Sequence, residues 1–192
     1  MRVLLAGAPG AGKGTQAALL AYQLDVPHVA SGDLVRQSIA AGTPAGAAAR
    51  DAVARGDLVP DDVIVEILRS TLVLAGSRGG YVLDGFPRTL AQAVTVDRVF
   101  GASGASVEVV VHLDVPDDVL TERLLARGRE DDSTAVIDHR LAVYRSQTLP
   151  MLDWYAQHQQ LIVVDGDAPV EDVGTAVVRS LQEWRLRRRL AS

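Results

Sequence analysis

The stretch GAPGAGKGTQ, residues 7–16, directly follows the apolar run VLLA, residues 3–6. Gly7, Gly12 and Lys13 have the spacing of the loop Gly-x-x-x-x-Gly-Lys, which joins a buried strand to a helix. In such a loop the backbone N–H groups converge on an anion at the helix N-terminus, and glycines let the backbone approach that anion closely. Because the lysine side chain reaches terminal phosphates, the stretch predicts a phosphate-binding loop rather than a simple tight turn.

The loop departs from the usual pattern at its hydroxyl. The residue after Lys13 is Gly14, and the first hydroxyl belongs to Thr15. We assign to Thr15 the contact with Mg²⁺ that the hydroxyl after the lysine usually makes. Asp84 ends a later apolar run, a position from which a carboxylate holds a magnesium-bound water; a turn or helix cap is the alternative for this residue.

The composition limits the remaining possibilities. The chain has 192 residues, 48% of them hydrophobic, which suits one domain with a substantial core. Its net charge of -5 argues against a protein that coats nucleic acid. The absence of cysteine excludes disulfides and thiolate zinc sites. The N-terminal apolar run is far shorter than a membrane span, so we expect a cytoplasmic protein.

Short apolar runs rich in Val, Ile and Leu alternate with longer segments of helical spacing. This pattern predicts buried parallel strands joined by crossover helices, in a doubly wound α/β sheet with helices on both faces. The predicted strands are residues 3–6, 27–30, 81–83, 107–113 and 161–164. The predicted helices are residues 14–24, 63–75, 117–126, 136–144 and 170–186.

Two segments depart from this alternation. Residues 31–60 contain Ala-rich helical patterns separated by AGTPAG and have no strand of their own, so we expect a small helical insertion. Residues 128–134, GREDDST, are polar and turn-like, so we expect a short exposed flap.

The loop DGFPRTLAQA, residues 84–93, carries Arg88 and Gln92 four residues apart. If Thr89 begins a helix, both side chains reach one ligand. A guanidinium suits an anion, and glutamine offers one acceptor and two donors, which suits the edge of adenine. Ser31 and Arg36 bracket the start of the insertion; Ser31 is either a ligand or a helix cap, and Arg36 is either a ligand or a solvated charge.

Arginines are concentrated in the segment ERLLARGREDDSTAVIDHR, which contains Arg123, Arg127, Arg129 and Arg140. A solvated face is the usual explanation for such a run of charges. A phosphate-binding loop elsewhere in the chain favours another one, because phosphoryl transfer needs cations around the negative charge of the transferred group.

Six motifs, GAPGAGKGT, SGDLVR, GDLVP, DGFPRTLAQA, RGREDD and VIDHRLAVY, occur in the order and roughly the spacing of nucleoside monophosphate kinases, and the chain resembles the adenylate kinases with a short lid. The resemblance covers nearly the whole chain. It implies a P-loop nucleoside monophosphate kinase fold: a five-stranded parallel sheet flanked by helices, with a helical NMP-binding insertion and a short lid. In the single kinase domain, residues 1–192, the core would be residues 1–30, 61–127 and 137–192, the insertion residues 31–60, and the lid residues 128–136.

The resemblance also implies an activity and a set of site residues. The activity is reversible, Mg²⁺-dependent transfer of the ATP γ-phosphoryl group to AMP, giving two ADP, which serves adenine nucleotide homeostasis. The implied ATP site is Gly10, Ala11, Gly12, Lys13, Gly14, Thr15, Arg127 and the main chain near Ala168. The implied AMP site is Ser31, Arg36, Asp57, Leu58, Val59, Gly85, Arg88, Gln92, Arg129 and Arg140. The implied catalytic cations are Lys13, Arg88, Arg123, Arg129 and Arg140, the lid acids are Asp131 and Asp132, and Mg²⁺ would meet Thr15 and, through water, Asp84.

No structural zinc, nucleic acid or membrane partner is expected, and a monomer is the family default. The attacking AMP phosphate is already anionic, so no general base is assigned and the four histidines are expected to be structural.

Several alternatives stay open from the sequence. UMP/CMP kinases share the fold, but their loop resembles GFPRN followed by an asparagine where this chain has Thr89 and Gln92, which favours AMP. Ser31 also occurs in relatives that use GTP, so the phosphoryl donor is less certain than the acceptor. A nucleotide-binding regulatory module without turnover is the other class, although every expected cation is present. The basic segment EWRLRRRL suits a membrane surface or nucleic acid, but helical spacing up to Trp184 favours packing on the sheet.

Overall fold

The sheet is built from the apolar runs that the sequence analysis identifies as strands. A computed structural model describes residues 1–101, 104–128 and 133–191. The strands in these residues are β1 (Arg2–Gly7), β2 (His28–Ala30), β3 (Tyr81–Asp84), β4 (Val109–Asp114) and β5 (Leu161–Asp165). They form a parallel five-stranded sheet in the order β2-β3-β1-β4-β5, which confirms the predicted α/β fold.

Helices follow each strand and cover both faces of the sheet. In the described residues they are α1 (Lys13–Leu24), α2 (Ser31–Ala40), α3 (Pro44–Arg55), α4 (Asp61–Ser77), α5 (Leu90–Phe100), α6 (Asp117–Arg127), α7 (Thr134–Val143), α8 (Leu149–Gln157) and α9 (Val170–Ala191). A π-helical turn, Tyr144–Thr148, joins α7 to α8. All the predicted helices are present, whereas α8 and the π-helical turn are not among the predictions.

Alternate side chains of the central strand point into two separate cores. On β1, Val3 and Leu5 belong to a buried cluster with residues of α1, α6, α7 and α9, whereas Leu4 lies in a cluster with residues of α4, α5 and α8. Both faces of the sheet are therefore covered, as an all-parallel sheet requires. The carboxyl ends of the strands remain as the open edge at which loops meet.

The C-terminal helix packs on the sheet through the face that the sequence predicts. Val173, Val177, Leu181 and Trp184 are all buried. The indole Nε1 of Trp184 donates a hydrogen bond to the carbonyl of Gln159 at 2.9 Å, and Arg188 lies 5.1 Å from the ring centroid. In the described part of the chain, none of the helices combines the length and the apolar character that crossing a bilayer needs.

The segment between β2 and α4 is helical, as predicted, and consists of α2 and α3. The N-cap of α2 is Ala30, which has no side-chain acceptor, so the alternative that Ser31 caps the helix is wrong. Ser31 is instead buried in the first turn. Thr43 caps α3 by accepting a hydrogen bond from the backbone N–H of Gly46 at 3.0 Å. The treatment of this segment as a separate insertion stays a prediction.

Candidate active site

The phosphate-binding loop lies between β1 and α1, at the carboxyl edge of the sheet. Gly12 is the N-cap of α1 and has a left-handed backbone with φ of 85°. A Cβ atom at this position would meet no atom of the described residues within 4 Å, so backbone conformation rather than crowding requires the glycine. Gly12, Gly14 and Thr15 line an open cleft at the N-terminus of α1, a position that suits an anion.

Lys13 lies folded back over this loop. Its Nζ atom donates hydrogen bonds to the carbonyl oxygens of Gly7, at 3.0 Å, and Ala8, at 2.9 Å. These contacts place the ammonium group within the space enclosed by the loop, where the terminal phosphates of a nucleotide are expected.

The surroundings of Lys13 disfavour its positive charge. Burial lowers the pKa of Lys13 to about 8, against the opposing influence of the Asp84 carboxylate. Further lowering comes from the cationic side chains of Arg88, Arg140 and Arg127. An anionic phosphate in this position would stabilise the protonated amine, so the site is electrostatically prepared for such a ligand.

Asp84 ends β3 beside the phosphate-binding loop. A Cβ atom on Gly14 would lie 3.5 Å from the Asp84 Oδ2 atom, so the carboxylate rests against the first turn of α1. Asp84 and Thr15 line the same cleft. The following helix, α5, is capped by Thr89, so Asp84 is not its cap, whereas the alternative of a turn cap is not tested.

The donor set fits magnesium better than a metal with a dedicated protein cage. Thr15 and Asp84 supply oxygen atoms to one cleft. Among the described residues, no group of three or more His, Asp or Glu side chains is placed to hold a metal ion. Mg²⁺ commonly binds through one or two carboxylates, several waters and substrate phosphates, so this sparse set is compatible with it.

Cationic side chains from several elements converge on this cleft. Its lining includes Lys13, Arg36, Arg88, Arg123, Arg127 and Arg140. Burial lowers the pKa of Arg88, with opposition from Asp84 and further lowering by Arg140 and Arg36. A chain of net charge -5 thus concentrates positive charge at one site, which suits phosphate groups.

Arg88 is fixed by the turn that follows β3. Its Nε atom donates a hydrogen bond to the Gly85 carbonyl at 2.6 Å. Gly85 has φ of 83°, and a Cβ atom there would lie 2.7 Å from the Ser31 Oγ atom and 3.1 Å from an Arg88 Nη atom. The bond between Phe86 and Pro87 is cis. Ser31, Gly85 and Arg88 are therefore in direct proximity, as the predicted AMP site requires.

Two of the other predicted cations have protein partners. Arg36 forms an ion pair with Asp33 at the start of α2. Arg123 donates to the Gly166 carbonyl at 3.1 Å and to the Asp167 carboxylate at 3.2 Å. Both side chains also line the cleft, so phosphate groups would compete with these contacts. The predicted site residues Arg129, Asp131 and Asp132 lie outside the described residues, and their roles stay predictions.

A second pocket opens between α2, α3 and α5. It combines apolar walls with a few convergent polar side chains, as small-molecule sites usually do. Its apolar lining includes Val35, Val53, Leu58, Val59, Ile64 and Phe86. Its polar and glycine lining includes Ser31, Arg36, Asp57, Gly85, Arg88, Gln92 and Arg140, so every described residue of the predicted AMP site is present.

Gln92 is buried in this pocket and is held at both ends of its amide. The backbone N–H of Arg88 donates to Gln92 Oε1 at 2.8 Å, and Gln92 Nε2 donates to Asp61 Oδ1 at 2.9 Å. The Gln92 backbone N–H donates to Thr89 Oγ1 at 3.1 Å, which confirms that a helix starts at Thr89. Asp61 is not among the predicted site residues, because two acids at the start of a helix are common without any ligand.

Asp57 connects the end of the insertion to α7. Its carboxylate accepts hydrogen bonds from His139 Nε2 and Arg55 Nε, both at 2.8 Å. Both hydrogen bonds hold the pKa of Asp57 below its usual range, and the one from His139 has the larger effect. Gly56 lies against the Arg140 side chain, with 3.0 Å between an added Cβ and Arg140 Cγ. Nothing in the spacing of these residues along the chain predicts this contact.

A third pocket lies on the other side of the phosphate-binding loop, between α1, α6 and the start of α9. Gly10, Ala11, Gly12, Thr15, Arg123, Gly166 and Ala168 are part of its lining. Gln16 is buried here and donates from Nε2 to the Val170 carbonyl at 2.8 Å, which ties α1 to α9. Ala168 is therefore beside the loop, where its main chain was predicted to contact the ATP base.

The geometry joins a phosphate-binding loop to a second pocket with apolar walls, and arginines lie between the two. Arg36, Arg88 and Arg140 line both the pocket and the central cleft, so an anion in either position contacts the same side chains. Two nucleotides that meet at their phosphates would fill this arrangement. The class of protein is therefore a P-loop nucleoside monophosphate kinase, a phosphotransferase.

Comparison with known proteins gives the family within this class. The family model for adenylate kinase matches residues 5–160. Adenylate kinase 1 of Nostoc sp. is 44% identical over 172 residues, 90% of this chain and 94% of its own length. The adenylate kinase of a Synechococcus strain is 46% identical over 180 residues, 94% of this chain and 98% of its own. That of Methylobacterium nodulans is 44% identical over 195 residues, with coverage of 95% and 98%. The chain belongs to the adenylate kinase family.

Proposed function

We propose that this chain transfers the γ-phosphoryl group of Mg-ATP to AMP, reversibly, to give two ADP, and so maintains adenine nucleotide homeostasis. The observation that carries the proposal is the position of Arg36, Arg88 and Arg140, which face both the predicted AMP pocket and the cleft of the phosphate-binding loop. A group that leaves one nucleotide and joins the other has to pass between these cations.

The ATP side of the reaction uses the loop and its neighbours. Residues 10–15 would cradle the phosphates through backbone N–H groups, and Lys13 would follow the transferred group. Thr15 and Asp84 would hold Mg²⁺, the latter through water; when bound, the metal neutralises charge on the phosphate oxygens. The ATP base would lie between Arg127 and the main chain at Ala168.

The AMP side provides orientation rather than acid–base chemistry. Arg36 and Arg88 would bind the AMP phosphate, and Gln92 would recognise adenine against the apolar walls formed by Leu58 and Val59. Because the AMP phosphate oxygen is already anionic, it attacks without a side chain that removes its proton. Positioning and charge stabilisation then account for catalysis.

Charge that develops during transfer would be stabilised by Lys13, Arg88, Arg123 and Arg140, together with Arg129 from the predicted lid. Closure of residues 31–60 and 128–136 over the nucleotides would exclude water, which otherwise competes with AMP as the acceptor. The lid acids, Asp131 and Asp132, would pair with the arginines on closure.

We further propose a cytoplasmic monomer without structural zinc, nucleic acid or membrane partners. The monomer is proposed as the default of the adenylate kinase family. The cysteine-free sequence offers no thiolates for a zinc site.

A coupled assay of ADP formation tests the proposal directly. Mg-ATP is supplied with AMP, CMP, UMP or GMP as acceptor, and the series is repeated with GTP as donor. Turnover confined to AMP is expected. Preference for UMP or CMP would replace the assigned acceptor, and a folded, ATP-binding protein without turnover on any acceptor would indicate a regulatory module.

A further inference from the structure

The amide of Gln92 has a single orientation that satisfies both of its protein neighbours. The backbone N–H of Arg88 is a donor only, so it requires Oε1 on its side, at 2.8 Å. The Asp61 carboxylate accepts from Nε2 at 2.9 Å. Rotating the amide by a half-turn would place donor against donor at Arg88 and oxygen against carboxylate at Asp61, which costs both hydrogen bonds.

The fixed amide leaves a defined pattern for a ligand. After these two contacts, Nε2 keeps one N–H donor and Oε1 keeps one acceptor lone pair. Adenine presents an N6–H donor beside the N1 acceptor, whereas a 6-oxopurine presents an O6 acceptor beside an N1–H donor. The two bases therefore match opposite orientations of the same amide when the base has a fixed place in the pocket.

We infer that Asp61 is a positioning residue that makes the AMP pocket select adenine over 6-oxopurines, by fixing the Gln92 amide in the orientation that adenine matches. The inference rests on the proposed function and adds a determinant of base choice to it. Asp61 lies at the start of α4 and is outside the pocket lining, so it acts through Gln92 rather than on the nucleotide. Discrimination arises because the wrong base leaves buried polar groups unpaired.

The test compares AMP with inosine monophosphate, which differs from AMP in the 6-substituent and the N1 proton. The ratio of kcat/KM for the two acceptors is measured with Mg-ATP for the wild type, Asp61→Ala and Asp61→Asn. Asp62→Ala is the matched control, because Asp62 is the next acid in the same first turn of α4 and its loss affects the helix N-terminus similarly. Thermal unfolding of all variants monitors the fold.

In Asp61→Ala we expect the ratio of kcat/KM for AMP to kcat/KM for inosine monophosphate to fall about tenfold, because one of the two orienting hydrogen bonds is lost. The fall should come mainly from a higher KM for AMP. In Asp61→Asn the new amide pairs with either orientation of Gln92, so reversing Gln92 costs only its hydrogen bond with Arg88 instead of two. The kcat/KM for inosine monophosphate should therefore rise above the wild-type value. Gain of activity on the wrong acceptor is a result that general destabilisation does not produce.

Two outcomes overturn the inference while leaving the proposed function intact. One is an unchanged ratio in both Asp61 variants, when the wild type turns over AMP. The other is an equal change in Asp62→Ala, which would attribute the effect to the helix terminus. A wild type with no AMP turnover would instead contradict the proposed function itself.

Discussion

Gly85 shows how much of the site depends on a missing side chain. Its φ of 83° and the 2.7 Å that would separate an added Cβ from Ser31 Oγ both oppose any other residue. Gly85→Ala should displace Ser31 and Arg88 and raise the KM for AMP by about tenfold or more. Steady-state kinetics at varied AMP concentration measure the effect.

The control for this substitution is Gly42→Ala. Gly42 also has a left-handed backbone, with φ of 66°, but no atom of the described residues lies within 4 Å of its added Cβ. Both variants carry the backbone strain and only one disturbs the site. Equal KM values for AMP in the two variants would show that crowding at Gly85 has no role.

We expect Lys13 to lower the free energy of unfolding of the nucleotide-free chain, although it supports activity. In the folded chain the pKa of Lys13 is about 8, below the ordinary 10.5. The charged amine that Lys13 carries at pH 7 is therefore less stable in the folded chain than in the unfolded chain, which lowers the free energy of unfolding. Lys13→Met removes the charge and keeps an unbranched stem. It should raise the free energy of unfolding without nucleotide by about 1 kcal/mol at pH 7, allowing for lost hydrogen bonds, and reduce turnover at least about hundredfold.

The pH dependence separates this effect from simple repacking. Between pH 8 and 10.5 the unfolded chain binds more protons at this lysine than the folded chain, so the wild type gains stability with rising pH. The advantage of Lys13→Met should therefore shrink over that interval in urea titrations. A variant that is less stable than the wild type at pH 7 would contradict the assigned environment of Lys13.

Among the elements, the contact between the α3–α4 loop and α7 joins two parts of the proposed site. His139 donates to Asp57 in the loop, and Arg140, the next residue on α7, lines the AMP pocket. His139→Ala should raise the KM for AMP about two- to fivefold with little loss of kcat, because an exposed ion-paired hydrogen bond contributes modestly.

The matched control for this element is His158→Ala. His158 lies after α8, where it contacts the Trp154 carbonyl at 2.8 Å, and it is not part of the pocket lining. An unchanged KM in His139→Ala, or the same change in both variants, would count against a role for the loop–α7 contact in AMP binding.

The strands and most helices follow from sequence because they depend on local patterns. Runs such as residues 3–6 and 161–164 are apolar and short, and turn residues bound them. Helix α8 is not among the predictions because it follows α7 through a π-helical turn with no loop between them, and Pro150 in its first turn was not used as a helix-start signal. The phosphate-binding loop was predictable for the same local reason as the strands.

Contacts between distant parts of the chain were not predictable from one sequence. The pairs Asp61–Gln92 and Asp57–His139 are separated by 31 and 82 residues, respectively. An acid at a helix start and a histidine on a helix face each have common structural explanations. Neither residue indicates a role in the site until the structure shows its partner. The motifs therefore identify the residues expected to touch nucleotides, whereas the structure adds those that orient them.

At the scale of the whole molecule, the charge distribution opposes the net charge. The chain carries -5 overall, yet lysine and arginine side chains converge on the central cleft from the phosphate-binding loop, α2, α6 and α7. Such a cleft draws anionic substrates toward it and also raises the energy of the empty site by mutual repulsion. Binding of nucleotide phosphates relieves that repulsion, so ligand binding and stability should be strongly coupled.

The side chains available to a metal ion predict how the activity and the stability of the protein depend on Mg²⁺. The described residues offer no cluster of three metal-binding side chains, so Mg²⁺ should associate with the nucleotide complex and not with the empty protein. EDTA is expected to abolish turnover while leaving the unfolding temperature of the nucleotide-free chain unchanged.

Asp84→Asn should raise the Mg²⁺ concentration for half-maximal activity about tenfold, as loss of an outer-shell carboxylate does elsewhere. Asp153→Asn, an exposed change on α8, is the matched control. A nucleotide-free chain that EDTA destabilises would instead require a protein-held metal, and an unchanged Mg²⁺ requirement in Asp84→Asn would remove Asp84 from the metal site.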